Sequence, residues 1–189
     1  MNERRFRLDF VIALGALLIS TVAAAATVYQ TRVIASEFSA TVWPYVSFDV
    51  TNSPATFDLE LRNDGLGPAI VRSATLTLDG RAQPSLEALV RTLARQEPAT
   101  LAAIRAAVRA GAPVKLTTST PTAGEVIPAN ASRPVLRIDG AVFVLPFRKD
   151  LPRVGLSICY CSLTGSCWRQ SYYDRESEPE AVSGCSGRG

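Results

Sequence analysis

Residues 10–29 read FVIALGALLISTVAAAATVY, without one charged side chain. An apolar run of about 20 residues is what a single helix needs to cross the hydrocarbon core of a bilayer. Nothing later in the chain repeats it, so the sequence divides into one membrane-targeting segment and one exterior domain. A core helix of a soluble protein would carry a polar stripe, and this run has none. Arg4, Arg5 and Arg7 precede the run, against Glu3 and Asp9. Basic residues beside a membrane segment stay on the cytoplasmic side. This predicts a cytoplasmic N-terminus (1–9), a transmembrane helix (10–29) and an exterior remainder. Alanines 23–26 also offer the small-residue pattern of a cleaved signal peptide. Two features favour a retained anchor. The apolar run is longer than an ordinary signal core, and helical spacing persists through Val33, Ile34, Phe38 and Val42 until Pro44 stops it. Residues 30–43 therefore read as a helical stalk.

Composition narrows the chemistry. The chain has 189 residues, which leaves enough after the anchor for one domain with a real core. Its formal charge of +3 has little bearing on partners, because three arginines precede the anchor. The exterior part has no basic run interleaved with aromatics, which argues against nucleic-acid binding. Histidine is absent altogether, which removes the commonest general base and the commonest zinc ligand. There is no glycine-rich phosphate loop.

The exterior residues 44–173 read mainly as strands. In 45–50, YVSFDV, polar and apolar residues alternate, and FDLELR at 57–62 alternates apolar with charged. The two form an antiparallel hairpin with one wet face. Asn63-Asp64-Gly65-Leu66-Gly67-Pro68 is a tight loop in which the glycines allow positive φ and Pro68 starts the next extended run. Residues 69–78 give another strand, closed by the turn signal Asp79-Gly80. The strand pattern then breaks at 84–111, where two amphipathic helices are expected. Leu86, Leu89, Val90 and Leu93 share a face of the first; Pro98 opens the second, with Leu101, Ile104 and Val108 on one side and Gly111 as its cap. Arg95, Arg105 and Arg109 project elsewhere. Residues 117–122 read as a polar loop. Residues 134–138, Asp139-Gly140 and 141–147 are expected to form a second hairpin. Residues 154–162, a three-residue loop at Leu163-Thr164-Gly165 and 166–172 form a last one. The tail, 174–189, is acidic and then Gly/Ser-rich, and reads as flexible. About seven or eight strands at this spacing predict a mainly β fold: an antiparallel sandwich with a helical-hairpin insertion.

All four cysteines, Cys159, Cys161, Cys167 and Cys185, fall near the C-terminus. In an oxidising compartment an even number points to disulfides. The three-residue loop puts Cys161 opposite Cys167, with Cys159 on the same strand face, so Cys161–Cys167 with Cys159–Cys185 is the simplest pairing. Free thiols and a thiolate metal or redox site stay open as alternatives, although the paired C-x-x-C spacing of such sites is missing. Asn130-Ala131-Ser132 matches a glycosylation acceptor, a triplet common by chance.

Taken together, Trp43-Pro44-Tyr45, Asn63-Asp64-Gly65-Leu66-Gly67-Pro68-Ala69, and Cys159-Tyr160-Cys161-Ser162 with Cys167-Trp168 resemble a loose set of uncharacterised bacterial proteins. Those have one N-terminal membrane helix and a small β-rich exterior domain. The resemblance implies that architecture and a location in the bacterial envelope, and it carries no catalytic residue. The functional expectation is a non-enzymatic interaction or assembly module of the inner membrane. Its partners would be the bilayer, through the N-terminal helix, and another envelope protein; no cofactor or metal is expected. The alternative is a thiol-based redox or metal-binding protein using the cysteine cluster. A hydrolase working through Asp58, Glu60 or Asp64 is a third reading, for which alternating charge on a wet strand face is the simpler account.

Overall fold

A computed structural model describes residues 3–172 and 178–185. It separates into two units, residues 1–41 and 42–189. The first is a single helix, α1 (Glu3–Thr41), continuous through the expected transmembrane segment and most of the expected stalk, ending two residues before its predicted limit at 43. Its stretch Phe10–Phe38 has a mean hydropathy of 2.3 and is long and apolar enough to cross a membrane. Hydroxyls along it turn back onto the helix: Ser20 donates to the Ala16 carbonyl at 2.7 Å and Thr27 to the Ala23 carbonyl at 2.9 Å. Polar side chains in an apolar helix are thereby satisfied internally.

The second unit is a two-sheet antiparallel sandwich with a helical layer. Its elements, in chain order, are β1 (Val46–Asn52), β2 (Thr56–Asn63), β3 (Ala69–Leu78), β4 (Arg81–Gln83), α2 (Leu86–Gln96), α3 (Pro98–Arg109), β5 (Lys115–Thr118), β6 (Val126–Ile127), β7 (Ala131–Asp139), α4 (Ala141–Asp150), β8 (Val154–Cys161), β9 (Cys167–Ser171) and β10 (Glu180–Val182). One sheet runs β1-β2-β7-β5; the other runs β10-β9-β8-β3-β4, with β6 also on β3. All pairings are antiparallel. The alternation in β2 is realised as expected: Phe57, Leu59 and Leu61 are buried, while Asp58, Glu60 and Arg62 lie on the wetter face. Facing apolar rows from the two sheets form one core with Val71, Leu76, Ile158 and Tyr160. Val135 and Leu136 are both buried where the β2–β7 register shifts beside Pro134, a proline at the irregularity where its missing N–H does least harm.

Three expectations are corrected. Thr117 and Thr118, expected in a polar loop, end β5 opposite Arg137 and Leu136. Residues 141–147 are not the second strand of a hairpin but the start of α4. Their Val/Phe content suits a strand, yet Val144 and Phe147, three apart, are the buried pair, which is a helical period. Phe147 packs edge-on to Phe57 at 5.3 Å between ring centres. Gly140 supplies the sharp change of direction with φ +113°, and its N–H donates to Ala55 at 2.8 Å. The stretch 174–189 is not a free tail throughout. Glu180–Val182 adds β10 to the edge of β9, and Cys185 is bonded to Cys159. Residues 174–177 and 186–189 lie outside the described residues.

Candidate functional site

The loop at 63–68 needs its glycines for a reason other than the expected one: neither Gly65 nor Gly67 has positive φ, and the loop instead closes tightly on the segment by which the chain comes into the domain. The Asn63 side chain is fully buried. Its Oδ1 accepts from the backbone N–H of Tyr45 and of Gly65, both at 3.1 Å. Its Nδ2 donates to the carbonyls of Gly67 (2.8 Å), Ile127 (3.0 Å) and Pro128 (3.2 Å). The loop backbone adds Asp64 N–H to Tyr45 O at 2.8 Å and Leu66 N–H to Trp43 O at 2.9 Å. A Cβ on Gly67 would stand 2.0 Å from the Val42 carbonyl oxygen, and one on Gly65 2.3 Å from the Tyr45 nitrogen. Only glycine permits that approach. Pro68 follows directly and leads into β3. We call this arrangement the collar.

Below the collar, Tyr160 joins the two sheets. Its hydroxyl, fully buried, accepts from the Val46 N–H at 3.1 Å. Burial pushes its pKa up to about 12; the Val46 hydrogen bond opposes the shift and nearby Tyr45 adds to it. The Trp168 ring stacks on Tyr160 at 6.0 Å, and Trp43 meets Trp168 edge-on at 6.3 Å.

The disulfides close the same end of the sandwich. Cys161 is the register partner of Cys167, and their Cα atoms are 4.0 Å apart in the bonded pair. Cys159 is bonded to Cys185, Cα to Cα 5.6 Å. Ile70 pairs with Cys161, so the loop before β3 and the turn after β8 emerge at one end. Leu66, at the tip of the first, is 71% exposed, and Leu163, at the tip of the second, is 60% exposed. Trp43 is 41% exposed, and Val126, paired with Ile70, is exposed beside them. The collar end is thus a rigid base that presents apolar side chains to solvent. Sequence reading singled out Asn63 with the glycines of this loop, and the cysteines, but not the role of Asn63 as the hub. A polar residue ending an alternating strand was the available signal.

The carboxylates singled out from the sequence are not brought together. Asp58 Oδ2 accepts from Arg137 at 3.1 Å, and Arg137 also reaches Asp139 at 3.3 Å. Burial raises the Asp58 pKa; Arg137 opposes this, while Glu60 and Asp139 add to it, and Asp58 Oδ1 is buried without a partner. Glu60 faces Asp49 across β1–β2. Asp64 accepts from Arg62 at 2.6 Å and from Ser47 Oγ at 3.1 Å. Asp58 and Asp64 are each held by an arginine on an ionic sheet face. The sulfurs of Cys161, Cys167 and Cys185 lie within 4.8 Å of one another. Held in disulfides they lack the thiolate charge that metal coordination requires.

No protein-family model, curated protein or solved structure matches this chain.

Proposed function

We propose that this chain is a single-pass, non-enzymatic interaction module of the bacterial inner membrane, its N-terminus cytoplasmic and its sandwich in the periplasm or outside. The collar end would be the surface that contacts another envelope protein. One observation carries the reading: Leu66 and Leu163 are highly exposed on turns whose backbones are fixed, one by the buried Asn63 and the other by the Cys161–Cys167 bond. Exposed apolar side chains on mobile loops mean little. On a preorganised base they lose little entropy when a partner covers them. The apolar helix supports the membrane location, the two disulfides fit an oxidising compartment, and the resemblance set out above supports an envelope setting.

The test is site-specific photo-crosslinking in intact membranes, with the probe at position 66 or 163 and, as a comparison, at the exposed Val108 of α3. Discrete adducts from 66 and 163, each lost when the other leucine is changed to Asp, are expected. Adducts from 108 alone would move the contact surface elsewhere and sink the reading.

A further inference from the structure

The two disulfides touch. Cys161 Sγ lies 3.7 Å from Cys185 Sγ, which belongs to the other bond. That is van der Waals contact between sulfurs, the distance from which a thiolate begins its attack on a disulfide. The four residues also differ in exposure. Cys159 and Cys161 are buried at 4% exposure each, whereas Cys167 and Cys185 are partly open.

From this geometry we infer that the pair is a thiol-triggered relay, able to transfer the C-terminal tether from Cys159 to Cys161. An incoming thiolate attacks Cys167 Sγ, which belongs to the less buried residue of its bond. A bond forms between that thiol and Cys167, the Cys161–Cys167 bond breaks, and the electron pair leaves on Cys161. The Cys161 thiolate now has two sulfurs in reach. It can return to Cys167 and expel the visitor, or go forward to Cys185 at 3.7 Å. In the forward step Cys161–Cys185 forms, Cys159–Cys185 breaks, and Cys159 leaves as a thiolate that takes a proton from solvent. Two disulfides and one thiolate have become a mixed disulfide on Cys167, one internal disulfide and one thiol. No oxidant or reductant is consumed; the sole co-reactant is the thiol itself, either a small monothiol or a cysteine of another protein.

The fold permits the transfer at small cost. Cys159 and Cys161 are two residues apart on β8 and point to the same face, so the tether moves about 7 Å along the strand. The segment it drags, β10, is held on β9 among the described residues by three residue pairs: Glu180 with Arg169, Ala181 with Trp168 and Val182 with Cys167. A slide of two residues keeps the same side chains on the same face, and release of β10 would uncover the β9 edge. This inference is independent of the docking surface proposed above, since it rests on the sulfurs alone.

The experiment uses the full chain in detergent micelles with glutathione as the probe, at about pH 8, near the ordinary thiol pKa. The reaction is sampled early, free thiols are trapped by alkylation, and the bonds are mapped on unreduced peptides. The expected product carries glutathione on Cys167, alkyl label on Cys159 and a Cys161–Cys185 peptide, in most of the adducted molecules. Alkyl label on Cys161 with Cys159–Cys185 intact would overturn the relay, because the reaction would have stopped at its first step. Glutathione on Cys185 with Cys161–Cys167 intact, a statistical mixture of all pairings, or no adduct at all would overturn it equally. A second arm replaces glutathione with a folded protein bearing one exposed cysteine. A protein adduct on Cys167 with the same Cys161–Cys185 peptide extends the relay to macromolecular thiols; relay with glutathione alone overturns that extension and restricts the trigger to small thiols.

Discussion

The collar end and the helical layer of the exterior domain are built on opposite terms. At the collar a single amide, Asn63, satisfies five backbone groups from three stretches of chain, and Tyr160 and two disulfides fix what lies beneath. The helical layer is fastened unevenly. α2 starts on a proper cap, Ser85 Oγ accepting from Ala88 N–H at 3.1 Å, and buries Leu86, Leu89, Val90 and Leu93. α3 has no buried residue at all. A cavity of about 20 Å³ remains between it and its neighbours, lined by Leu93, Ile104, Phe143 and Phe147 among others. A polar tie of the layer is Arg153, which donates to Asp79 at 2.7 and 2.9 Å, to Asp150 at 2.9 Å and to Gln96 at 2.7 Å. Its hydrogen bonds hold the Asp79 carboxyl below the usual range. Directional bonds fix a position within tenths of an ångström, while a shallow apolar contact tolerates sliding. The domain therefore has one end suited to presenting a defined surface and one layer suited to local opening.

The sharpest way to break this comparison is Asn63→Ala. It strands one buried and one part-buried N–H donor and removes the donor to three carbonyls, at roughly 1–3 kcal/mol per unsatisfied group. A loss of about 4 kcal/mol or more is expected in denaturant unfolding of the detergent-solubilised chain. Gly67→Ala should be comparably harmful, since the new Cβ meets backbone rather than a movable side chain. A change below about 1 kcal/mol for Asn63→Ala would mean the hydrogen bonds are matched by water after truncation, and the collar would lose its special status.

The disulfides come next, and they rank themselves. On the loop-entropy model Cys159–Cys185, spanning 26 residues, contributes about 3.5 kcal/mol, and Cys161–Cys167, spanning 6, about 2 kcal/mol. Paired Cys→Ser replacements should reproduce that order in thermal unfolding. The reverse order would show that native packing of the hairpin, rather than loop closure, decides their worth.

Tyr160 gives a pH test. Its pKa in the folded chain is about 12, against an ordinary value of 10.0. The folded state favours the neutral phenol, so the stabilisation is complete below pH 10 and is lost as pH rises from 10 towards 12. Wild type should show a late-titrating tyrosine absorbance from Tyr160, together with falling stability in that window. Tyr160→Phe should lack the late titration and be destabilised at neutral pH by about 1–3 kcal/mol, because the Val46 N–H loses its acceptor. An unchanged late titration in the variant would assign it to another tyrosine.

How much of this was legible in the sequence follows from the range of the interactions. The apolar helix, the β1–β2 and β8–β9 hairpins and the two amphipathic helices are set by local periodicity and turn chemistry, and they could be read. So could the cysteine facing, because Cys161 and Cys167 flank one short turn. Residues 141–147 could not be settled, since an apolar run of Val and Phe after Asp-Gly fits a strand or a helix and the contact with Phe57 decides. β10 was hidden for a related reason: the Cys159–Cys185 bond beside it was the expected pairing, but its ladder with β9 is announced by nothing in an acidic, Gly/Ser-rich stretch. Asn63 illustrates the limit most plainly. Two of its acceptors, Ile127 and Pro128, are more than 60 positions away, and no pattern near residue 63 announces them.

The smallest expected effect lies in α3, and it sharpens the comparison from the other side. Ile104 and Val108 continue the apolar stripe on which the helix sits, yet Ile104 is only partly buried and Val108 is 54% exposed. A residue that leaves so little surface on unfolding has little stabilisation to lose. Val108→Asp should change stability by no more than about 0.5 kcal/mol, the usual range for an exposed position. Ile104→Ala, beside the cavity, should stay well below the 2–5 kcal/mol typical of a fully buried aliphatic side chain. The independent measurement is amide hydrogen exchange. Protection along β8, paired on both sides by β3 and β9, should approach that of global unfolding, whereas α3 amides should exchange faster through local opening. Equal protection in the two elements would show that α3 unfolds only with the whole domain. The contrast between a fixed collar and a lightly held helix would then be one of appearance and not of energy.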